Sequence, residues 1–203
     1  MTMARRITLA ALTTGMVLTL AGCGSEEPSS DPDEGATASS SASTGTGVEE
    51  PEVPSDWQVA SVDVAQLQVP PDWVLSSTRD ASQTMAAPKD SIGLSPGSGN
   101  ILADPNPGGG EGEDAVDEWA DLREKSLSAD LKNLERLPNE TINGSVFYHF
   151  QGEGDGTWED HYGAVVPGGD RRITITWRFN QADIDRKGAE ALIAEVMPTY
   201  QVL

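Results

Sequence analysis

The sequence predicts an α+β fold, an antiparallel sheet flanked by helices, on three observations. Residues 131 to 180 read as a run of strands separated by turn-forming residues. Asn143-Gly144, the strongest hairpin signal in the chain, lies inside that run. Two segments with helical spacing, one from Asp114 and one after Asn180, bracket it. Strands, helix, meander, helix is the order of helices packed on an antiparallel sheet, not of alternating parallel βαβ units.

Two N-terminal segments precede this domain. Arg5 and Arg6 stand ahead of an apolar run, Ile7 to Leu20, too short and too rich in Thr to span a membrane, so residues 1–22 read as a secretory signal peptide. The run ends in Leu20-Ala21-Gly22-Cys23, which matches the bacterial lipobox. That match implies cleavage before Cys23, a diacylglyceryl thioether on its sulfur and an acyl chain such as palmitate on the new amine. Each acyl CH₂ contributes about 0.8 kcal/mol on burial, so two or three chains hold a protein on a membrane without help from its surface. Cys23 is the chain's one cysteine, which excludes an internal disulfide and a thiolate zinc cluster. Residues 23–54 are then the lipidated Cys and an acidic tether. From residue 24 to 54 there is no aromatic residue, no Lys and no Arg, and there are eight acids. Such a composition does not bury enough apolar surface to offset its ordering entropy, and the segment is expected to be disordered, with a reach of roughly 30 Å.

All eleven aromatic residues lie after residue 54, which places a single domain at 55–203. The whole chain has 33 acids against 13 Lys and Arg, a net charge of −20. The domain keeps 25 of those acids and 11 bases. This balance argues against nucleic acid as a partner and against docking on anionic lipid by charge.

Within the domain, Trp57 to Val69 carries Val59, Val62, Val64, Leu67 and Val69 and reads as one or two strands, closed by a turn at Pro70-Pro71-Asp72-Trp73. Met85 to Leu94 and Asn100 to Ala103 are expected as two more, separated by residues 95–99. Asp104 to Gly112, with two Pro and four Gly, is expected as a loop. The first helix starts at Asp114, with Ala115, Trp119, Leu122 and Ser126 inward. Then follow Leu131 to Leu137, continuing through Pro138 to Ile142, and strands at Ser145 to Gln151, Thr157 to Val166 and Arg171 to Asn180. Asn180 caps the closing helix, whose apolar positions include Ile184, Ala191, Leu192 and Val196 and which ends before Pro198.

Register predicts which residues share a face. A loop symmetric about Gly154 pairs Gln151 with Thr157, and the turn after Val166 pairs Val166 with Arg171. Val146, Tyr148 and Phe150 then join Trp158, Tyr162, Ala164, Val166, Ile173, Ile175, Trp177 and Phe179 on one apolar face, with Asp160 its single exception. The opposite face gathers Phe147, Val165 and Arg172 with six polar residues, His149, Glu159, His161, Thr174, Thr176 and Arg178, and so both histidines of the chain. Imidazoles with a carboxylate suit zinc, but no HExxH-like spacing is present, and Glu159 opposite Arg178 reads as a cross-strand ion pair. These six residues are candidates for binding a small ligand or peptide on a partly covered sheet face. No cofactor or metal is assigned, and no catalytic residue: Ser126 and Ser145 lack a G-x-S-x-G context, and the acidic loops 104–114 and 152–160 do not fit a twelve-residue calcium loop.

Leu67-Gln68-Val69-Pro70-Pro71-Asp72-Trp73, the mid-chain amphipathic helix, Thr141-Ile142-Asn143-Gly144 leading into an aromatic strand, and the closing strand and helix together resemble the PsbP-like α/β/α sandwich. With its lipobox and acidic tether, the chain looks most like the actinobacterial LpqN/LpqT-type surface lipoproteins. The resemblance spans about residues 56 to 202. It implies an antiparallel sheet of about six strands with helices on both sides, and binding or assembly roles in place of catalysis. The expected function is a membrane-anchored extracytoplasmic binding or protein-interaction module, lipid-anchored to the cell membrane through Cys23. The alternative is a metal-dependent or other hydrolase of envelope material acting through His149, Glu159, His161 and Arg178.

Overall fold

In the computed structural model, residues 54–89 and 98–203 are described. The signal peptide, Cys23, the tether up to residue 53 and the segment 90–97 lie outside the described residues. The fold is α+β: two antiparallel sheets with helices on both faces of the larger one.

The first strands are β1 (Gln58–Ser61) and β2 (Ala65–Val69), a hairpin closed where Val62 N–H donates to the Ala65 carbonyl at 2.9 Å. The Pro70-Pro71-Asp72-Trp73 turn follows as expected, closed where Trp73 N–H donates to the Pro70 carbonyl at 3.2 Å, and Trp73 also opens β3 (Trp73–Ser77), which the sequence reading missed. Next come β4 (Gln83–Pro88), β5 (Ser98–Pro105) and the helix α1 (Gly112–Asp130). The meander is β6 (Lys132–Ile142), β7 (Ser145–Glu153), β8 (Thr157–Val165) and β9 (Arg171–Asn180). The chain closes with α2 (Arg186–Val196), a 3₁₀ turn at Met197–Thr199 and the short β10 (Gln201–Val202). The seven-stranded sheet has the order β3-β4-β5-β9-β8-β7-β6, and the three-stranded sheet has the order β1-β2-β10.

Local chemistry accounts for the corners. Asn143 and Gly144 have φ of 47° and 83°, the left-handed pair that a two-residue hairpin needs, and join Ile142 directly to Ser145. The Asn143 side chain donates to the carbonyls of Pro198 and Tyr200, both at 2.8 Å, and so ties this hairpin to the C-terminal segment. Pro138 lies in β6, an edge strand interrupted by register shifts between Leu137 and Glu140, where a missing N–H disrupts least.

The core has two parts. Between the seven-stranded sheet and the layer formed by β1, β2 and α2 lie Leu67, Val69, Phe147, Tyr162, Ile173, Ile175, Trp177, Phe179, Ala189, Ile193 and Val196. On the other face, Val116, Trp119, Ala120 and Leu127 of α1 cover Tyr148 and Phe150. The inward stripe of α1 is therefore rotated from the expected one: Ala115 and Ser126 give way to Val116, Ala120 and Leu127, and Leu122 is 58 % exposed. In this orientation Asp117 and Asp121 both pair with Arg136 of β6 at the sheet edge. For α2 the cap is Asp185, which accepts from Gly188 N–H at 2.7 Å; Asn180 instead closes the preceding turn by accepting from Ala182 N–H.

One register was anticipated and one was not. Glu159 does face Arg178 across β8 and β9. Between β7 and β8, however, the closing pair is Glu153 with Trp158, so Gln151 faces Asp160 and not Thr157. An odd shift exchanges the two faces of β7 relative to β8. Phe147, His149 and Gln151 therefore point toward α2, and Tyr148 and Phe150 toward α1.

Candidate ligand cleft and the split polar patch

The register shift divides the six-residue patch. Glu159, His161, Thr174, Thr176 and Arg178 share the α1 face of the sheet, as expected; His149 is on the opposite face. On the α1 side, Arg178 holds Glu159 with Nε to Oε1 at 2.9 Å and Nη2 to Oε2 at 3.3 Å, His161 Nε2 lies 3.2 Å from Oε2, and Thr157 donates to Oε1 at 3.1 Å. Thr176 Oγ1 is 3.4 Å from His161 Nδ1. Burial alone would raise the Glu159 carboxyl, but His161 and Arg178 outweigh it and hold it at about 2. Glu159, His161, Arg178 and Thr157 are thus bonded to one another, and none of them lines either of the hollows beside α2. The zinc arrangement of His149 with Glu159 and His161 does not form, and no group of three metal-ligating side chains occurs among the described residues.

On the α2 side, the exception in the apolar face becomes the centre of the site. Asp160 is 1 % exposed, and a carboxylate buried that far needs partners. Arg186, the first residue of α2, reaches down and grips it with both terminal nitrogens, Nη1 to Oδ2 at 2.8 Å and Nη2 to Oδ1 at 3.0 Å. Its remaining Nε donates to Glu190 one turn along the helix at 2.9 Å. From β7, diagonal to Asp160, His149 brings Nε2 to 2.8 Å from Asp160 Oδ1 and Nδ1 to 3.0 Å from Glu140 Oε1. The imidazole ring lies flat on Tyr162, centroids 3.9 Å apart and planes within 20°. Burial pushes Asp160 upward, but His149 and Arg186 overcome this and leave its carboxyl below the usual range. Burial likewise raises the Tyr162 hydroxyl, helped by Glu140 and Asp160.

This run of bonded groups, Glu140–His149–Asp160–Arg186–Glu190, passes under a cleft of about 430 Å³ between α2 and the β6–β8 end of the sheet, with His149 and Asp160 on its floor, Glu140 and Glu190 at its lips and Arg186 lining the hollow beside it. Its apolar walls are Leu137 and Ile142 on the sheet side and Ile193, Ala194, Met197 and Pro198 on the helix side. A second hollow of about 220 Å³ adjoins it past Gln151 and Glu190 and is bounded by Glu135, Glu153 and Trp158. The cleft exists because α2 covers β8 and β7 but stops short of the β6 edge. Of the six expected ligand residues, only His149 lines it. Asp160, Arg186, Glu140 and Glu190 were missed, although one signal for them was in the sequence: an Asp alone on an inward-facing apolar row needs a cation above it.

No family model matches the chain, and no curated protein matches it. Among solved structures it is similar to the Ran-binding protein Mog1p of Saccharomyces cerevisiae, with 12 % identity over 72 % of this chain and 95 % of that one and a TM-score of 0.44. A Mog1 E65A mutant structure matches at 12 % identity over the same shares with a TM-score of 0.43. A crystal structure from Bacteroides thetaiotaomicron matches at 14 % identity over 68 % of this chain, with a TM-score of 0.39; the chain spans 45 % of that protein's length. No residue role is transferred from any of them.

Proposed function

We propose that the chain is a membrane-anchored extracytoplasmic lipoprotein whose domain is a binding module, with its ligand site in the cleft beside α2. The observation that carries the binding reading is the cleft itself. About 430 Å³ lies within the size range of small-molecule sites, and apolar walls over a few convergent polar groups are the composition such sites share. Its floor is ordered in advance: Asp160 and His149 are buried and mutually bonded, so ligand binding does not have to fix them. The lipobox at Leu20 to Cys23 supports the anchor, and the acid-rich segment that follows supports a tether that holds the module away from the membrane.

Two measurements test the two halves. Globomycin treatment should leave a heavier, uncleaved precursor in the membrane, and Cys23→Ala should abolish the lipid mass on the protein; unchanged mass under both would remove the anchor. For the cleft, Ala194 is an exposed helix position on its wall, and Ala194→Trp fills the space at little cost to the core. Native mass spectrometry after exposure to a cell-envelope extract should show added masses on the wild type that the variant lacks. Identical spectra would place the ligand elsewhere.

A further inference from the structure

We infer that the cleft selects an organic cation, an ammonium group carried on an apolar body and held by the lip carboxylates Glu140 or Glu190. This rests on the reading of the cleft as a binding site and adds the chemical class of its occupant. The first ground is charge. The cleft is lined by three carboxylates, Glu140, Asp160 and Glu190, and the adjoining hollow adds Glu135 and Glu153; the one guanidinium at either is Arg186. The second is that the cationic groups are already occupied. Each nitrogen of the Arg186 guanidinium already donates to Asp160 or Glu190, and both His149 nitrogens face carboxylates, so an anionic ligand would have to share groups that acids already engage, with only the second N–H of each Arg186 terminal nitrogen left over.

The carboxylates are not all used up. Glu140 and Glu190 are each about half exposed, at 47 % and 49 %, and each engages its imidazole or guanidinium partner through Oε1 alone. Their Oε2 atoms have no hydrogen-bond donor among the described residues. The two residues stand on opposite lips, Glu140 on the sheet and Glu190 on the helix, and the apolar walls lie between them. An ammonium at either lip would meet a carboxylate oxygen, while its alkyl or ring portion covers Ile193, Ala194 and Met197.

The test uses the full mature chain, made water-soluble by Cys23→Ser, and three probes of equal chain length: octylammonium, octanoate and 1-octanol, each titrated below its aggregation limit and read by backbone amide shifts around Ala194. Octylammonium should bind at least about fivefold more tightly than 1-octanol, and octanoate more weakly than either. A half-exposed carboxylate contributes up to about 1 kcal/mol, which is about fivefold, so Glu140→Gln and Glu190→Gln should each weaken octylammonium by up to that factor and leave 1-octanol unchanged. Raising salt should weaken octylammonium alone. Ala194→Lys, which leaves the ion network untouched, should abolish octylammonium binding selectively. If octanoate or 1-octanol binds as tightly as octylammonium and Ala194→Trp removes both, the cation preference is wrong and the cleft stands. If octylammonium is preferred but Ala194→Trp does not affect it, the cleft reading falls too. Failure of all three probes to bind overturns the inference.

Discussion

Asp160 concentrates what a single residue does in this fold. It sits in the middle of β8 on the face packed against α2, among Tyr162, Ile175 and Trp177, and its charge is met by Arg186 and His149. Taking away one partner of a buried pair costs more than taking away both, because the remaining charge is stranded. Arg186→Met should therefore destabilise the domain by about 3 kcal/mol, and Arg186→Met with Asp160→Leu should recover much of that loss, as measured by urea unfolding. If the double variant is as unstable as the sum of its two singles, the pair is not the source of the cost. This residue also marks how far the site could be read in advance. The sequence places Asp160 on an apolar row by period-two alternation, and a buried acid there calls for a cation. It does not say that the cation comes from the first turn of a helix 26 positions away, nor that His149 arrives on the same face, because both depend on how the β7–β8 loop closes.

At the scale of elements, β7 explains the lost parity. Phe147, Tyr148, His149 and Phe150 are all buried, because α1 covers one face of the strand and α2 covers the other. A strand buried on both sides has no apolar and polar alternation from which its facing can be read. β9, with Ile173, Ile175, Trp177 and Phe179 on one side, does alternate, and its register with β8 was legible through the four-residue turn after Val166. For β7 the missing clue was Gly163. It pairs with Tyr148, and a Cβ built there would overlap the phenol ring, so the large aromatic occupies the space that the glycine leaves. The Tyr148 ring is also packed edge-on against Trp119 at 5.1 Å, which stops it from swinging away. Gly163→Ala should then cost about 1–3 kcal/mol through overpacking, visible as a lowered melting temperature. Gly163→Ala combined with Tyr148→Leu should restore part of it. An undisturbed Gly163→Ala protein would mean that Tyr148 does not lie over this position. The helices were found in the right order, and Trp119 and Val196 face the core as expected, but the α1 stripe runs through Val116, Ala120 and Leu127, a facing set by which side chains cover Tyr148 and Phe150 on a strand that follows it.

For the molecule as a whole, the charge surplus meets the fold in its response to acid. Two buried carboxylates, Glu159 on the α1 face and Asp160 on the α2 face, have carboxyls held below their ordinary values, Glu159 at about 2 against 4.5. The unfolded chain binds protons at these groups at a higher pH than the folded chain does, so stability rises with pH through this window. The contribution is complete above about pH 5 and is lost as pH falls through 4.5 toward 2. Glu159 accounts for roughly 2 kcal/mol of it, once the exposure of its partner Arg178 is allowed for. Exposed Asp80, drawn down to about 2 by Thr78 and Ser82, titrates in the same window and gives a background slope common to all variants. The comparison that isolates the buried group is Glu159→Gln against wild type, by urea unfolding at pH 7, 4 and 2.5. The variant should be clearly less stable at pH 7, and most of the gap should close by pH 2.5, because the unfolded chain's carboxyl is by then almost fully protonated while the folded one, at about 2, stays ionised only at a cost. A gap that stays constant with pH would mean that the loss comes from packing around position 159 and not from its charge.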